Sequence, residues 1–370
     1  MSKGLYVHIP FCDRICAYCD FPKTVAPAPV REQYLEALKT ELDAVRAEVS
    51  DVDTVYVGGG TPSSLGVEAL SDLCDFLASV VNVPHLKEFT VEANPNDVDG
   101  EFARMLKAKG VTRLSLGVQS GEPRLLGLMG RTHGREDVER AMRALHDIHF
   151  YNVNLDFIYA LPTQTVEELG RDLDFATRLQ PTHLSFYTLI LEPRTILYHE
   201  WKEGRLEPLD EETEAAMAEL VNRTLPARGY LRYEVSNFAI AGFESKHNLL
   251  YWDVHDYLGV GMGAHSLSHG VRFHNETTLS RYLAAVKKSG VGGRIPDPCD
   301  PVREACVMGL RKASGIDVTD LWLRFKVDVL LRFPRLRQNE AEGLVAIDGR
   351  SIRLTEKGFM LMNYVERSFA

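Results

Sequence analysis

The chain has 370 residues and a formal net charge of −10, a length that fits one large α/β unit with a smaller module. An acidic chain repels phosphate backbones, which argues against nucleic acid as a main partner. No apolar run approaches the roughly 20 residues that span a bilayer, and the start MSKGLYVHIPF lacks the apolar stretch of a secretory signal. We therefore expect a cytoplasmic protein, with a peripheral membrane contact and a homodimer left open.

Short apolar runs of β type alternate with helical patterns through the first two thirds of the chain. Each helical pattern is long enough to cross over between parallel strands, and a repeat of roughly 30–45 residues is typical of βα units. Six such units predict an α/β fold, a partial (β/α)6 TIM-like barrel. The apolar runs lie at 5–9, 54–58, 88–93, 113–118, 152–159 and 183–189, and the helical patterns at 31–49, 67–81, 100–110, 135–148 and 166–179.

Polar and glycine-rich motifs follow the predicted strands directly. Three cysteines follow the first strand, GGGTP the second, EANP the third and GVQS the fourth, and the fifth strand carries Asp156. In βα barrels the active site forms at the C-terminal ends of the strands. The pattern therefore places every candidate motif at one mouth of the barrel.

The regular alternation ends near residue 237. Residues 237–295 are rich in histidine and aromatic residues and indicate loops packed beside the barrel. The stretch PDPCDP marks a boundary, and helical patterns at 302–312 and 317–331 precede two strand-like runs, LVAIDG and SIRLT, and a last helix. We predict a barrel over 1–236, a connecting segment over 237–295, and a small C-terminal helical, winged-helix-like module over 296–370.

Three of the six cysteines lie within eight residues, with the spacing C-x3-C-x2-C. Disulfides are disfavoured in a reducing cytosol, and thiolates suit zinc and iron–sulfur clusters. A structural zinc ion takes four ligands, and Asp20 is a poor match for the fourth. A [4Fe-4S] cluster takes one thiolate per iron, so Cys12, Cys16 and Cys19 would leave one iron open. We expect the scattered cysteines to be core residues: Cys74, Cys299 and Cys306.

An open iron can be chelated by the amino and carboxylate groups of S-adenosylmethionine (SAM), which brings the sulfonium beside the cluster. An electron from the cluster can then cleave a carbon–sulfur bond and release a 5′-deoxyadenosyl radical, while the protein supplies position and excludes water. The segments YVHIPFC and AYCDF around the triad resemble the radical SAM family, in its coproporphyrinogen-oxidase-like branch. The resemblance implies a radical SAM barrel whose three cysteines hold a [4Fe-4S] cluster.

The resemblance also implies a set of SAM contacts. The glycines of the GGTP motif let the backbone approach the methionyl amino group, and a carboxylate in VEANP suits the ammonium of SAM. Each residue alone also fits a surface or capping role, whereas their order along successive strand ends favours one shared site. The implied SAM contacts are Tyr6, Tyr18, Gly59, Gly60, Thr61, Glu92, Gln119, Arg131 and Asp156, the last directed at the ribose hydroxyls.

The chain resembles two members of this branch that differ in function. One is the oxygen-independent coproporphyrinogen III oxidase, which decarboxylates two propionates; the other is its heme-chaperone paralogue, regarded as delivering heme to proteins such as respiratory cytochromes. The oxidase has a further cysteine two residues after the triad, where this chain has Phe21, and a substantial N-terminal extension, where only five residues precede Tyr6. We therefore expect no oxidase activity.

The motif HNLLYW at 247–252 matches the HNxxYW motif that the resemblance ties to heme binding. His247 would then be an axial ligand, since imidazole is a common ligand of heme iron. A hydrogen-bonded packing role is the alternative for this histidine. The other candidate ligands of the heme iron in this region are His255, His265, His269 and His274.

Three hypotheses follow, and the first is a heme-binding, heme-transferring protein with a SAM-binding cluster. Its expected cofactors are the [4Fe-4S] cluster and SAM, its cargo is heme, and its expected partners are a recipient hemoprotein and an electron donor. The second hypothesis is a porphyrinogen decarboxylase. The third is a cluster protein with a structural or redox role only. Whether the protein is an enzyme is left open.

Overall fold

The computed structural model describes residues 3–369. Within these residues the strands form where β-branched, aromatic and small residues succeed one another in short runs, as β-propensity predicts. They are β1 (Gly4–Ile9), β2 (Thr54–Gly59), β3 (Glu88–Ala93), β4 (Arg113–Gln119), β5 (Val153–Tyr159), β6 (His183–Thr188), β7 (Leu231–Arg232), β8 (Asn237–Ala239), β9 (Tyr257–Val260), β10 (His265–Ser268), β11 (Val271–His274), β12 (Ile295–Pro296), β13 (Ile316–Asp317), β14 (Val345–Ile347) and β15 (Ser351–Leu354).

Several helices begin at a residue whose side chain satisfies free N–H groups of the first turn. Before α7, for example, the Thr165 hydroxyl accepts from the Glu168 N–H at 3.2 Å, and the Glu168 carboxylate accepts from the Thr165 N–H at 2.9 Å, a capping box. The helices are α1 (Ala28–Ala44), α2 (Arg46–Val49), α3 (Val67–Val80), α4 (Gly100–Ala108), α5 (Pro123–Met129), α6 (Arg135–Asp147), α7 (Val166–Arg178), α8 (Ile196–Lys202), α9 (Glu211–Ala227), α10 (Lys246–Trp252), α11 (Leu279–Ser289), α12 (Pro301–Leu310), α13 (Val318–Phe325), α14 (Val329–Arg332), α15 (Arg335–Ala341), α16 (Glu356–Met360) and α17 (Met362–Glu366).

In the described part of the chain the main sheet has twelve strands in the order β12-β11-β10-β9-β1-β2-β3-β4-β5-β6-β8-β7. Strands β1 to β6 pair in parallel with one another in chain order, and β6 pairs antiparallel with β8. All six predicted strands are confirmed, and the predicted α/β radical SAM barrel is the observed class of fold. The carboxyl ends of these strands meet at one mouth, where parallel βα folds carry their sites.

The segment 237–295 differs from the loops that its sequence indicated. It forms β8 to β11, α10 and α11, and β9 pairs in parallel with β1, with Gly4 opposite Tyr257 and Val7 opposite Val260. The strands were missed because each spans only three or four residues, too few to show a period. Their pairing is decided by contacts with β1 and β6, which lie far away in the sequence.

The C-terminal module forms a second, smaller core. Strands β13, β15 and β14 make an antiparallel sheet, and helices α12 to α17 surround it, as the predicted helical module required. Buried side chains from Val302 to Phe369 pack with Val254, Tyr257 and Leu267 of the preceding segment. The module therefore shares its core with strands of the large sheet.

Among residues 3–369, no helix is both long and apolar enough to cross a membrane.

Candidate functional site

The three clustered cysteines lie in the loop that follows β1. The N–H of Cys12 donates to the carbonyl of Thr24 at 3.1 Å, and the N–H of Cys19 donates to the carbonyl of Cys16 at 3.3 Å. The N–H of Ala17 donates to the carbonyl of Met129 at 3.0 Å, which ties the middle of the loop to the end of α5. These backbone bonds turn the loop over the strand ends, so that the thiols face a common cavity.

This cavity has a volume of about 620 Å³ and lies at the carboxyl ends of the parallel strands. It is large enough for a ligand of the size of SAM together with a cluster. The structure brings eleven of the predicted site residues to its wall: Cys12, Cys16, Tyr18, Cys19, Gly59, Gly60, Thr61, Glu92, Gln119, Arg131 and Asp156. Residues that are up to 144 positions apart in the sequence thus share one site.

Each thiol has a different polar neighbour. The sulfur of Cys12 lies 3.6 Å from the Thr61 hydroxyl, and the sulfur of Cys16 lies 3.5 Å from Nη1 of Arg131. Burial raises the pKa of the Cys12 thiol to about 11 and raises that of Cys19 as well. Because only thiolates bind metal, loading of the site must release protons.

The donors around the cavity suit an iron–sulfur cluster better than a single metal ion. Across residues 3–369, no three His, Cys, Asp or Glu side chains converge closely enough to hold a single metal ion. A [4Fe-4S] cluster instead spreads three thiolates over three irons. Arg131 adds a buried Nε without a partner beside Cys16, a donor suited to an anionic group. The residues therefore fit a cluster with an anionic ligand.

Glu92 lies on the floor of the cavity. Its carboxylate accepts from the Tyr56 hydroxyl at 2.7 Å and from the N–H of Gly59 at 3.0 Å. Burial raises the pKa of Glu92 to about 7, since these two donors offset only part of the cost of desolvating the charge. A Cβ on Gly58 would lie 2.8 Å from the Glu92 carboxyl carbon, so only glycine leaves room for this side chain. The ionised carboxylate can hold an ammonium group.

Asp156 faces the cavity from β5. Its two oxygens accept from the Ser115 hydroxyl at 3.0 Å and from the Asn154 amide at 2.8 Å. Burial raises the pKa of Asp156, and the hydrogen bonds from Asn154 and Ser115 oppose that rise. A carboxylate fixed in this way can accept hydrogen bonds from a diol.

Arg131 and Gln119 are held by the irregular end of β4. Nη2 of Arg131 donates to Asn94 Oδ1 at 2.7 Å and to the Gly117 carbonyl at 2.6 Å. Gln119 has a φ of 68° next to a shift in the β4–β5 register, a left-handed conformation that is uncommon outside glycine. Such bulges re-aim side chains next to sites, and here the bulge presents Gln119 to the cavity.

Sequence reasoning missed the residues that position these groups, namely Tyr56, Asn94, Ser115 and Asn154. A signal was present: Ser115, Asn154 and Ser185 each interrupt an otherwise apolar strand at an inward position. Polar residues at alternate positions of buried strands indicate a polar barrel interior, because buried polar groups require partners.

The rim of the cavity combines an ion pair with apolar side chains. Arg194, after β6, donates two hydrogen bonds of 2.9 Å to Asp20 of the cysteine loop. Beside this pair Phe21 is 68% exposed and Ile190 is 69% exposed. Large exposed apolar side chains at the mouth of a cavity mark a surface for an apolar ligand or partner.

His247 lies elsewhere, at the opposite end of the barrel. It is fully buried, with Nδ1 2.7 Å from the Thr54 hydroxyl and Nε2 2.8 Å from the Tyr251 hydroxyl. Thr54 begins β2, whereas the cavity lies beyond the ends of the strands. Both ring nitrogens of His247 therefore have hydroxyl partners in this structure, and its role as an iron ligand stays a prediction.

Two further residues differ from their predicted places. Tyr6 is absent from the wall of the cavity, and its hydroxyl lies 2.9 Å from Nδ1 of His8 in the layer below. Cys74 and Cys306 are buried as predicted, but Cys299 is exposed. Cys299 lies in the turn before α12, where its thiol donates to a carboxylate oxygen of Glu304 at 3.0 Å.

Comparison with known proteins adds three findings. Residues 6–176 match the model of the Radical SAM superfamily, and residues 297–361 match the HemN C-terminal domain. The chain is 38% identical to the heme chaperone HemW of Bacillus subtilis, over 99% of both chains, and 37% identical to that of Lactococcus lactis, over 99% of this chain and 97% of the relative. The solved structure of coproporphyrinogen III oxidase (HemN) from Escherichia coli superposes with a TM-score of 0.85 at 24% identity, covering 100% of this chain and 90% of the other.

Proposed function

Because this chain belongs to the radical SAM superfamily, and within it to the HemW family of heme chaperones, we propose that it binds heme and transfers it to hemoproteins. The observation that carries the proposal is the match to HemW proteins over 99% of the chain. The cysteine cavity supports it, since its wall suits the cluster and SAM of the superfamily. The likeness to the oxidase, at 24% identity, supports a shared fold alone.

Within the cavity, Cys12, Cys16 and Cys19 would hold the cluster. Glu92 would accept a hydrogen bond from the amino group of SAM, Asp156 would accept from ribose hydroxyls, and Gln119 would add a polar contact. When bound, the cluster and SAM would supply one-electron chemistry. Arg131 would place a cation beside the Cys16 sulfur and an anionic ligand, and the Asp20–Arg194 pair at the rim would restrict the entry of water.

The proposal is tested by titrating the anaerobically reconstituted protein with heme and then adding an apo-hemoprotein. We expect a saturable Soret band and its transfer to the acceptor. Failure of the parent protein to bind heme would contradict the proposed function. The sequence also predicts a cytoplasmic location, an electron donor and a hemoprotein recipient, which stay predictions, and it leaves a homodimer and a peripheral membrane contact open.

The oxidase is the second candidate, favoured by the shared fold. We expect no decarboxylation, because Phe21 stands where the oxidase has its further cysteine and is 68% exposed at the rim. An anaerobic assay with coproporphyrinogen III on the same sample separates the two. Turnover at the rate of a true oxidase would favour the second candidate over the first, and a cluster without heme binding or turnover would leave a structural or redox role.

A further inference from the structure

A heme-binding protein needs at least one ligand for the iron, and the buried histidines of the barrel cannot supply it. His8 lies 2.9 Å from the Tyr6 hydroxyl and 2.8 Å from the Pro22 carbonyl. His183 contacts Asn154 at 2.6 Å and Tyr233 at 2.8 Å. Like His247, both have their two ring nitrogens engaged, and His133 is buried in the cavity wall with its Nε2 2.8 Å from the Val118 carbonyl. The exposed histidines are therefore the accessible candidates for an iron ligand.

Two exposed or half-exposed imidazoles lie side by side on the β10–β11 hairpin. His265 and His274 are paired across the two strands, and their ring centroids are 5.2 Å apart at an interplanar angle of 40°. Nδ1 of His274 lies 2.8 Å from the carbonyl of Asn275, and Nδ1 of His265 lies 3.7 Å from a carboxylate oxygen of Asp297. Among the described residues, no hydrogen bond or ion pair involves Nε2 of either ring.

This pattern prepares Nε2 for a metal. A carbonyl oxygen only accepts, so Nδ1 of His274 carries a proton and Nε2 of the neutral ring bears the lone pair. Iron-binding histidines usually donate their other N–H to a carbonyl or a carboxylate in this way.

The pair lies at the same end of the sheet as the cysteine cavity. It follows the turn after β9, whose Gly263 approaches the cysteine loop so closely that a Cβ there would lie 3.2 Å from Pro22. Pro22 adjoins Phe21, which is 68% exposed, and Val25 nearby is 55% exposed. Exposed apolar side chains, the kind of surface that a planar macrocycle covers, therefore lie on the loop that the turn before the histidine pair approaches.

From these contacts we propose that the His265–His274 pair, rather than His247, supplies the iron ligand for an iron porphyrin bound beside the mouth of the cavity. The inference deepens the proposed function and rests on it. Heme iron already has four porphyrin nitrogens and needs only one or two protein ligands. Rings 5.2 Å apart on neighbouring strands cannot lie on opposite faces of one macrocycle, so one imidazole binds the iron and the other flanks it. Ligation from one face suits a cargo that must be released.

The test uses full-length reconstituted protein titrated with hemin. We expect the double variant His265→Gln/His274→Gln to lose at least tenfold in affinity and to lose the Soret position of an imidazole complex, and added free imidazole to restore that position. The matched control is His269→Gln, an exposed histidine in the turn of the same hairpin, which should bind hemin like the parent. Circular dichroism and cluster absorbance verify that each variant is folded.

The outcomes separate the two proposals. If the parent binds hemin and the double variant keeps the parent's spectrum and affinity, the histidine pair is wrong while the proposed function stands. Loss of the imidazole spectrum in His247→Gln, with the double variant unchanged, overturns the pair in the same way. A parent protein without saturable hemin binding overturns both proposals.

Discussion

Charged side chains in the barrel interior are retained by specific partners. Glu92 and Asp156 each accept two hydrogen bonds, which offset part of the several kcal/mol that an unpaired buried charge costs. Arg113 is 2% exposed, and its Nε has no hydrogen-bond partner. Burial lowers the pKa of the Arg113 guanidinium, but nearby negative charge, from Glu88 above all, outweighs this effect and raises the pKa. Partly satisfied groups of this kind are expected at binding sites.

The pKa of Glu92 predicts how SAM binding depends on pH. The value of about 7 lies above the ordinary one, so the folded protein holds a proton on Glu92 as pH falls below 7. The ionised carboxylate is the stronger acceptor for the N–H groups of the SAM amino group. Between pH 8 and pH 6 the ionised fraction falls about tenfold, and SAM affinity should fall by about the same factor. Calorimetric titration of the reconstituted protein measures this.

The control for that experiment is Glu92→Gln, which keeps an acceptor for Tyr56 but cannot ionise. Its affinity should be weaker at pH 8 and should change little with pH. An unchanged pH profile in this variant would assign the dependence to another group.

The cysteine triad predicts which thiols the cluster requires. Replacing Cys12, Cys16 or Cys19 by Ala removes one iron ligand, and because the three thiols share one cavity, we expect loss of the cluster absorbance and of the EPR signal after reduction. Cys299→Ala is the matched control, since this exposed thiol lies outside the cavity. A full cluster in the triple alanine variant would contradict the assignment.

At the scale of elements, α10 closes the amino end of the barrel. Glu88 of β3 accepts from the N–H of Lys246 at 2.8 Å and of His247 at 3.2 Å, at the start of the helix. A carboxylate in this position satisfies free N–H groups and interacts favourably with the helix dipole. His247 then contacts Thr54 of β2, so the helix is joined to two strands.

This arrangement predicts that His247 is important for stability. In His247→Ala the hydroxyls of Thr54 and Tyr251 lose their buried partner and a cavity is left, which should lower the free energy of unfolding by about 2–4 kcal/mol. Urea denaturation of the full chain measures the change. The exposed His269→Ala should stay within about 0.5 kcal/mol of the parent, and an equally small effect at position 247 would argue against the packing role.

At the scale of the molecule, elements that follow residue 236 complete the sheet and the buried hydrogen bonds of the βα units that precede it. Strand β9 covers the free edge of β1, and the buried Glu41 of α1 accepts from the N–H groups of Gly261 at 2.9 Å and Gly292 at 2.7 Å. The large sheet therefore depends on residues beyond 236, although the repeating βα pattern ends there.

We accordingly predict that a fragment of residues 1–236 does not fold alone. Its β1 edge would be unpaired, and Glu41 and Glu88 would be buried without their backbone partners. A fragment of residues 1–296 keeps every strand of the large sheet and should unfold cooperatively. Circular dichroism and limited proteolysis distinguish them, and a cooperative transition in the shorter fragment would support the predicted boundary at 236 as that of an independent domain.

The sequence by itself determined the six βα units, the mouth at which the motifs lie and the cysteine triad. These features are local. A strand is predicted from a short run of neighbouring residues, and a motif that directly follows a strand must lie at the carboxyl end of that strand. The helical C-terminal module was likewise predicted from local sequence patterns. Eleven of the predicted site residues therefore came together in one cavity.

The tertiary structure alone decided the features that depend on distant partners. Strands β8 to β11 are short and obtain their register from neighbours remote in sequence. Likewise, the sequence of the motif around His247 does not determine whether the imidazole ring faces a ligand or a neighbouring hydroxyl. Only the packing of α10 against β2 and β3 shows that both nitrogens of His247 are engaged, while His265 and His274 each keep one nitrogen free, because burial and hydrogen-bond partners are properties of the folded chain.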